Sequence, residues 1–144
     1  MDAKYFKFSV IEAAPPVNLV YNGTFDSTAG WTEAEANIVI ADGVCHITGF
    51  LFNGDLKQTA ANMVAPLQPS TNYTMTFDVS NTTGMYFRLV DDEVSYELIA
   101  YDTYTNGTGH SVGFTTPESM TGWGICFIFQ SDAGDLDNIV ITAD

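Results

Sequence analysis

The sequence contains very few basic residues. Four of its 144 residues are lysine or arginine, against 18 aspartates and glutamates, so the formal net charge is −14. A surface with this negative field repels phosphate backbones and anionic lipids, which argues against nucleic acids and membrane surfaces as partners. The acidity itself leaves two interpretations open: general solubility, including in salty surroundings, or a specific cation-binding role.

Long hydrophobic runs are also absent. No segment approaches the roughly 18 apolar residues that a membrane-spanning helix needs, so we expect no membrane insertion. The amino terminus does not have the pattern of a signal peptide, because Asp2 precedes the lysines and Glu12 interrupts the short apolar run Phe8–Ile11. We therefore expect a protein of a virion surface or of the extracellular space that is released by cell lysis or within a larger particle.

Cysteine and histidine occur twice each. Cys45 and Cys126 lie in apolar strand-like runs, where they form either one disulfide or two buried free thiols, and their spacing matches no metal or redox motif. His46 and His110 have no serine or cysteine motif beside them. No nucleophile elbow, phosphate-binding loop or zinc spacing occurs in the sequence.

Two acidic pairs have the residue types that a glycosidase uses. Glu93 with Glu97, or Asp91 with Asp92, would supply two carboxylates. All four residues lie around a turn between two predicted strands, and a solvated acidic turn explains them more simply. We therefore predict that the protein is not an enzyme.

From Val17 onward the sequence has the pattern of β-structure. The pairs Asn22-Gly23, Asp42-Gly43 and Asn53-Gly54 mark tight turns, because they favour positive φ. The run Tyr73–Val79 alternates apolar and polar residues, which predicts one buried and one wet face. Strand-like runs recur about every ten to twelve residues, which is typical of an antiparallel sandwich or barrel. The predicted strands are Asn18–Tyr21, Ile38–Ile40, Val44–Phe50, Lys57–Val64, Tyr73–Ser80, Met85–Val90, Val94–Tyr101, Ser111–Thr115, Ile125–Gln130 and Leu136–Thr142.

Residues 1–16 stand apart from this pattern. Lys4–Ile11 alternates as a strand, and Pro15-Pro16 then interrupts the chain because consecutive prolines continue neither a ladder nor a helix. The segment is interpreted either as an extra strand on the body or as an arm that docks on another subunit. We accordingly expect an arm at 1–16 and one β-sandwich domain at 17–144.

Four landmarks, taken together and in this order, resemble one family. They are the opening Asn18–Asp26 followed by Gly30-Trp31, the strand Gly43–Gly49, the strand Leu67–Ser80 and the final strand Leu136–Ile141. The same landmarks occur in jelly-roll carbohydrate-binding modules of the xylan- and glucan-binding type, which have a galactose-binding-domain-like sandwich. The resemblance runs from Asn18 to Thr142 and implies an all-β, antiparallel jelly-roll sandwich with a short N-terminal extension.

The resemblance also implies a structural calcium ion. Where members of this family hold one, the ligands come from the opening motif and from the aspartate of the last strand. Those positions correspond to Asp26 and Asp137, with carbonyls at Asn22–Thr24 as further ligands. Hard oxygen ligands from both chain ends would join the first and last strands. The alternative for each aspartate is a turn cap.

Sugar-binding members of the family stack pyranose rings on aromatic side chains. Trp31 follows the opening motif and is predicted to lie in the core. Tyr86 and Arg88 are two apart in a strand and so share a face. For each tyrosine the alternative to sugar stacking is packing within the sandwich. For Trp123 the alternative is packing as a cap at the end of the sandwich. The candidate ligand-binding residues are Tyr86, Arg88, Tyr96, Tyr101, Tyr104 and Trp123, with Gln58, Glu97 and Gln130 as polar neighbours.

Two functions remain open at this point. The first is a non-catalytic surface-attachment or structural protein, such as a decoration or fibre subunit of a phage virion, whose arm docks on a neighbouring structural protein. The second is a glycan-binding module associated with a polysaccharide-degrading system. The same fold serves both roles, so only the site can distinguish them.

Overall fold

The computed structural model describes residues 14–33, 36–49, 54–130 and 133–144. Within these ranges the chain forms ten β-strands and one short 3-10 turn at Ala60–Asn62. The strands are β1 (Thr32–Glu33), β2 (Ile38–Ala41), β3 (Val44–Thr48), β4 (Gly54–Gln58), β5 (Asn72–Ser80), β6 (Met85–Asp91), β7 (Glu97–Tyr104), β8 (Gly107–Thr115), β9 (Ile125–Phe129) and β10 (Ala133–Ala143).

The strands make two antiparallel five-stranded sheets packed face to face. Sheet A has the order β1-β4-β9-β6-β7, and sheet B has the order β2-β3-β10-β5-β8. Aromatic residues from both inner faces fill the space between the sheets, as where Phe77 of β5 meets Phe87 of β6 with ring centroids 5.5 Å apart. The predicted all-β jelly-roll sandwich is confirmed.

Strand β5 shows why the alternating pattern specifies one register. Tyr73, Met75, Phe77 and Val79 are at most 2% exposed, while the intervening Thr74, Thr76 and Asp78 lie half-buried on the outer face. A one-residue slip would exchange the two sets and expose the aromatic residues to water. Trp31 also lies in the core as predicted, with its ring 5.2 Å from that of Phe25.

The last strand joins the two ends of the chain. Leu19 N donates to Ile141 O at 2.8 Å and Ile139 N donates to Gly23 O at 3.0 Å. The Asn18 side chain completes the contact, since its Oδ1 accepts from Ile141 N at 3.0 Å. The predicted strand Asn18–Tyr21 is therefore an irregular segment hydrogen-bonded to β10, and it is not a regular strand.

The glycines of two predicted turns have different structural roles. Asp42 and Gly43 both have positive φ, 53° and 77°, as a tight hairpin turn requires. In Asn22-Gly23 only Asn22 has positive φ, 52°. A Cβ on Gly23 would lie 2.1 Å from Ile139 O, so this glycine permits the close approach of the opening segment to β10. Asn53 and residues 1–13 lie outside the described residues.

Several predicted strand boundaries are wrong. Strands β4, β8 and β10 begin three to four residues earlier than predicted, at Gly54, Gly107 and Ala133. Two further boundaries also differ. The run predicted as Lys57–Val64 leaves the sheet at Gln58 and continues as the 3-10 turn, because the chain crosses there from sheet A to sheet B. The strand predicted to begin at Val94 begins at Glu97, because Val94 N donates to Asp91 O at 2.9 Å in a tight turn. In the described residues, no helix is long and apolar enough to cross a membrane.

Candidate functional site

The outer face of sheet A has an apolar floor. Val90, Cys126 and Ile128 form a small buried cluster separate from the main core, and Tyr101 packs against it. The register places Val90 opposite Cys126 and Arg88 opposite Ile128, so these side chains share one face. We use the name sheet A outer face for the half-buried Tyr86, Arg88 and Tyr101 together with the buried side chains beneath them, which are Val90, Cys126 and Ile128.

Two tyrosines and an arginine form a stacked cluster on this floor. The rings of Tyr86 and Tyr101 are nearly parallel, at 16°, with their centroids 4.9 Å apart. The Arg88 guanidinium carbon lies 5.1 Å from the centroid of Tyr101, and Arg88 Nη1 donates to Glu97 Oε2 at 3.3 Å. Burial on this floor raises the pKa of Tyr101, and the Arg88 charge opposes that rise. Three of the predicted ligand-binding residues and the polar neighbour Glu97 are thus brought together.

The Arg88 side chain has one buried donor that the cluster does not use. Its Nε is inaccessible to water and has no hydrogen-bond partner among the described residues. Buried donors without an acceptor are rare in folded proteins. A hydroxyl group or water held beside Arg88 would satisfy this donor after a small side-chain movement.

Polar groups surround the apolar floor. Asp55 lies opposite Ile128 and Lys57 opposite Cys126 in the β4–β9 ladder, which puts both side chains on the outer face. At the other end of β9, Gln130 N donates to Tyr86 O at 2.9 Å. Ring faces, carboxylate, ammonium and amide groups are the groups that contact the C–H faces and the hydroxyls of a sugar.

The structure contradicts the assignment of Tyr104 to a binding face. Tyr104 is 7% exposed, and its ring lies 4.9 Å from that of Phe77. Tyr101 and Tyr104 are an odd number of residues apart in β7, so they point to opposite faces of the sheet. Burial in the core raises the pKa of Tyr104.

Gln58 is not available to a ligand either. Its side chain is fully buried, where Nε2 donates to Tyr21 O at 2.8 Å and Oε1 accepts from Tyr21 N at 2.9 Å. The amide therefore fastens the opening segment to β4, a role that the sequence pattern did not indicate.

Trp123 and Tyr96 lie away from the stacked cluster. Trp123 precedes β9 and lines a cavity of about 460 Å³ at the loop end, with Ala60, Pro66, Leu67, Gln68 and Pro69. Tyr86 lies beside the opposite end of β9. At the rise per residue of a β-strand, Tyr86 and Trp123 are therefore about 20 Å apart. Tyr96 is 39% exposed in the turn that leads to β7. The predicted ligand-binding set is therefore divided between the sheet A outer face, the cavity beside Trp123, the turn that holds Tyr96, and the core.

Comparisons with known proteins agree on the architecture. No protein-family model and no curated protein matches the sequence. The second N-terminal cellulose-binding domain of Cellulomonas fimi β-1,4-glucanase C superposes with a TM-score of 0.65 at 16% identity, over 92% of this chain and 97% of that domain. The second family 16 carbohydrate-binding module gives 0.58 at 18% identity, over 87% and 99%. The fold is that of the jelly-roll carbohydrate-binding modules.

The same fold occurs within a larger phage protein. The enzymatically active domain of tailspike protein 4 from bacteriophage CBA120 superposes with a TM-score of 0.50 at 16% identity, over 88% of this chain and 21% of that chain. At these identities the likeness establishes the carbohydrate-binding-module fold alone.

The carbohydrate-binding-module fold brings the two predicted metal ligands into electrostatic contact. Burial raises the pKa of Asp137, the Asn138 backbone N–H lowers it, and the charges of Asp78 and Asp26 raise it. Asp78 lies directly opposite Asp137 in the β5–β10 ladder. The sequence pattern already placed Asp78 on the outward face of its strand, which was the available signal for it.

The carbonyl ligands predicted beside these aspartates fit less well. Asn22 O accepts from Phe25 N at 3.1 Å and from Trp31 Nε1 at 2.9 Å, so both its lone pairs are used. Gly23 O accepts from Ile139 N. Among the residues described, no group of three or more histidines, cysteines, aspartates and glutamates has the geometry of a metal site.

The prediction of a solvated acidic turn is confirmed for Glu93 and Glu97, which are exposed, and is wrong for the two aspartates. Asp91 is fully buried and Asp92 is 6% exposed. Asp91 accepts from Ser95 N at 2.7 Å and from Gly122 N at 3.3 Å, while Asp92 accepts from Gly124 N at 2.9 Å. Both carboxylates hold loops together, and neither faces a cleft as a glycosidase carboxylate would.

The two cysteines are free and buried. Cys45 belongs to the main core, whereas Cys126 lies beneath the sheet A outer face. Burial raises the pKa of each thiol to about 12. Of the two interpretations that the sequence left open, buried free thiols are the one observed.

Proposed function

We propose that this protein is a non-catalytic glycan-binding module whose ligand lies on the sheet A outer face. The stacked cluster of Tyr86, Tyr101 and Arg88 over an apolar floor carries the proposal. The likeness to a cellulose-binding domain of Cellulomonas fimi supports it. Such a module would anchor a polysaccharide-degrading system to its substrate.

The proposed ligand class is a neutral oligosaccharide or polysaccharide. The net charge of −14 disfavours polyanionic glycans. Arg88, the cation at the centre of the face, is already paired with Glu97 and stacked on Tyr101. The remaining groups favour a ring with hydroxyl substituents over a carboxylate or sulfate.

A glycan array with the wild-type protein and Tyr101→Ala tests this function. We expect the wild type to retain neutral glycans and Tyr101→Ala to lose affinity about tenfold, on the order of 1.4 kcal/mol. Tyr96→Ala is the matched control, because Tyr96 is an exposed tyrosine outside the cluster. Equal binding by all three proteins would place the ligand elsewhere, and absence of binding to any glycan would refute the function.

The second candidate is a surface-attachment or structural role, as a decoration or fibre subunit of a phage virion. The observation that favours it is the occurrence of this fold within a phage tailspike chain. In this role the protein would lie on a virion surface or in the extracellular space, and residues 1–16 would dock on a neighbouring structural protein. Mass measurement of the native assembly tests it, since a glycan-binding module acting alone predicts a monomer.

For either role we propose a structural Ca²⁺ held by Asp26 and Asp137. The pKa of Asp137, raised mainly by burial and further by the charges of Asp78 and Asp26, supports this proposal. A divalent cation among these carboxylates would relieve their repulsion and connect the opening segment to the last strand.

A further inference from the structure

Two Asn-Gly pairs lie wholly within the described residues. Asn22-Gly23 belongs to the opening segment, and Asn106-Gly107 lies where the turn after β7 enters β8. An asparagine side chain before a glycine is open to attack by the backbone nitrogen of that glycine, because glycine has no Cβ in the way and adopts many backbone conformations. The same chemistry is thus available in two places, and the surroundings of each pair decide where it occurs.

The side-chain amide of Asn22 is held through both its nitrogen and its oxygen. Its Nδ2 donates to Ser27 O at 2.6 Å and to Ala29 O at 3.2 Å. Its Oδ1 accepts from Asp26 N at 3.0 Å. Gly23 is fixed as well, because it packs closely against the backbone of β10. Turning this amide toward the Gly23 nitrogen would break these hydrogen bonds, so the fold protects Asn22.

The side chain of Asn106 is held much less firmly. Asn106 is exposed, and its Oδ1 accepts from Thr82 N at 3.1 Å. Within the described part of the chain, no residue accepts a hydrogen bond from its Nδ2. The amide nitrogen of Asn106 is therefore not retained by any described group.

The hydrogen bond from Thr82 also favours attack at the carbonyl carbon of Asn106. A backbone N–H that donates to Oδ1 stabilises the negative charge that develops on this oxygen when a nucleophile adds to Cγ. Solvent has access, because an open cavity of about 380 Å³ adjoins the side chain. The cavity is lined by Asn81, Thr82, Thr83, Gly84, Asn106 and Ala133. Asn106 therefore combines a polarised carbonyl with an amide nitrogen that no described residue holds.

The backbone nitrogen of Gly107 is not obstructed by a side chain of its own. A Cβ added to Gly107 would lie 3.1 Å from Nε2 and 3.5 Å from Cε1 of His110, at the edge of a half-buried ring. A small shift of that ring would accommodate the added atom. Gly107→Ala is therefore compatible with the fold, and packing does not require the glycine.

We propose that Asn106 is a site of spontaneous deamidation, with Gly107 N as the internal nucleophile and water as the co-reactant. Gly107 N gives up its proton to solvent and bonds to Asn106 Cγ, the Cγ–Nδ2 bond breaks, and ammonia leaves from a five-membered succinimide. Water then adds to one of the two ring carbonyls and opens the ring to aspartate or to isoaspartate. One water is consumed and one ammonia released, with no change of oxidation state. This inference goes beyond the proposed glycan function and does not depend on it.

The two products have different effects on the turn. Aspartate at position 106 keeps an oxygen acceptor for Thr82 N and adds one negative charge to a formal net charge of −14. Isoaspartate places an extra methylene in the backbone just before β8, so its carboxylate no longer lies where Asn106 Oδ1 meets Thr82 N. The reaction therefore loosens the contact between the turn before β6 and the turn before β8.

Peptide mapping of the full-length protein by mass spectrometry, after incubation in the folded state at mildly alkaline pH, tests the proposal. We expect Asn106 to convert to both aspartate and isoaspartate while Asn22 stays an asparagine. In urea, where the fold is lost, both residues should convert. Equal conversion of the two residues in the folded protein would contradict the proposal, as would no conversion of Asn106. Aspartate as the sole product would also overturn it, because direct hydrolysis by water forms no isoaspartate.

Two variants separate the internal reaction from direct attack by water. Gly107→Ala puts a Cβ beside the attacking nitrogen, and we expect it to lose most of the conversion at an unchanged melting temperature. Asn106→Gln would have to close a less favourable six-membered ring, so it should show no detectable conversion over the same time. Asn106→Gln also serves if Gly107→Ala does not fold. Conversion of either variant at the wild-type rate would mean that Gly107 N is not the nucleophile, and the proposal would be wrong.

Discussion

Arg88 is the residue that organises the sheet A outer face. Its guanidinium stacks on the Tyr101 ring and reaches the Glu97 carboxylate, so one side chain orients an aromatic and an acidic group at once. A planar guanidinium makes both contacts together, which the point charge of a lysine would not.

The thiol of Cys126 lies directly beneath this face, and its burial has a consequence at alkaline pH. Its folded-state pKa, raised mainly by burial to about 12, exceeds the unfolded value of about 8.5. The stability that this shift contributes is complete below the unfolded pKa and is lost as the pH rises toward the folded one. We expect the urea midpoint to fall between pH 8.5 and pH 10 by more in the wild type than in Cys126→Ala. Parallel pH profiles would contradict the burial of this thiol.

At the scale of elements, the turn between β6 and β7 is held by a buried carboxylate. Asp91 accepts hydrogen bonds from Ser95, Tyr96 and Gly122, and so ties the turn to the loop that precedes β9. The turn is followed directly by the start of β7 at Glu97, whose carboxylate accepts from Arg88. Asp91 supports the site from a distance and does not contact it.

Asp91→Ala should destabilise the protein by about 3 kcal/mol, because it leaves the buried Gly122 N–H and the partly buried N–H groups of Ser95 and Tyr96 without an acceptor, at roughly 1–3 kcal/mol for a buried group. Glu93→Ala, an exposed acidic neighbour in the same turn, should change stability by less than about 0.5 kcal/mol. Urea denaturation of the two variants measures both values. A small effect of Asp91→Ala would mean that the turn does not depend on this carboxylate.

Most strands could be predicted from the sequence, because the alternation of apolar and polar residues specifies the register of a strand wherever one face of the sheet is buried. Tyr73–Val79 specified both the strand and its two faces, and Tyr86 with Arg88 specified a shared face. Tyr104 was wrongly assigned to a binding face because the predicted strand ended at Tyr101, whereas β7 continues to Tyr104 and pairs it with the buried Met85. Asp91 and Gln58 were misread for a related reason: a polar side chain buried by long-range hydrogen bonds has the same local pattern as an exposed one.

At the scale of the whole molecule, acidic residues lie near the place where the opening segment pairs with the last strand and closes the sandwich. Asp78 of β5 lies opposite Asp137 of β10, and the charges of Asp78 and of Asp26 in the opening segment add to the effect of burial in raising the pKa of Asp137. The raised pKa of Asp137 means that its charged form costs folded-state stability at neutral pH. The stability that this shift contributes is complete below the ordinary carboxyl pKa and is lost as the pH rises through the higher folded-state pKa.

Calcium should therefore raise the melting temperature, since an ion bound only to the folded state stabilises it. We expect EDTA to lower the melting temperature of metal-loaded wild type. Asp137→Asn should melt higher than the wild type in EDTA and should not respond to Ca²⁺. Glu118→Gln, which removes an exposed charge elsewhere, should respond to Ca²⁺ as the wild type does. Identical wild-type melting curves in EDTA and in excess Ca²⁺ would exclude the ion.

The central claim is that a neutral glycan binds on the sheet A outer face, and backbone amide chemical-shift mapping with a glycan retained on the array tests it most directly. The account predicts that the largest shifts occur in β6, β7 and β9, around Arg88, Tyr101 and Ile128, while the outer face of sheet B stays unchanged. Shifts concentrated around Pro66, Pro69 and Trp123, or along β5 and β10, would contradict it.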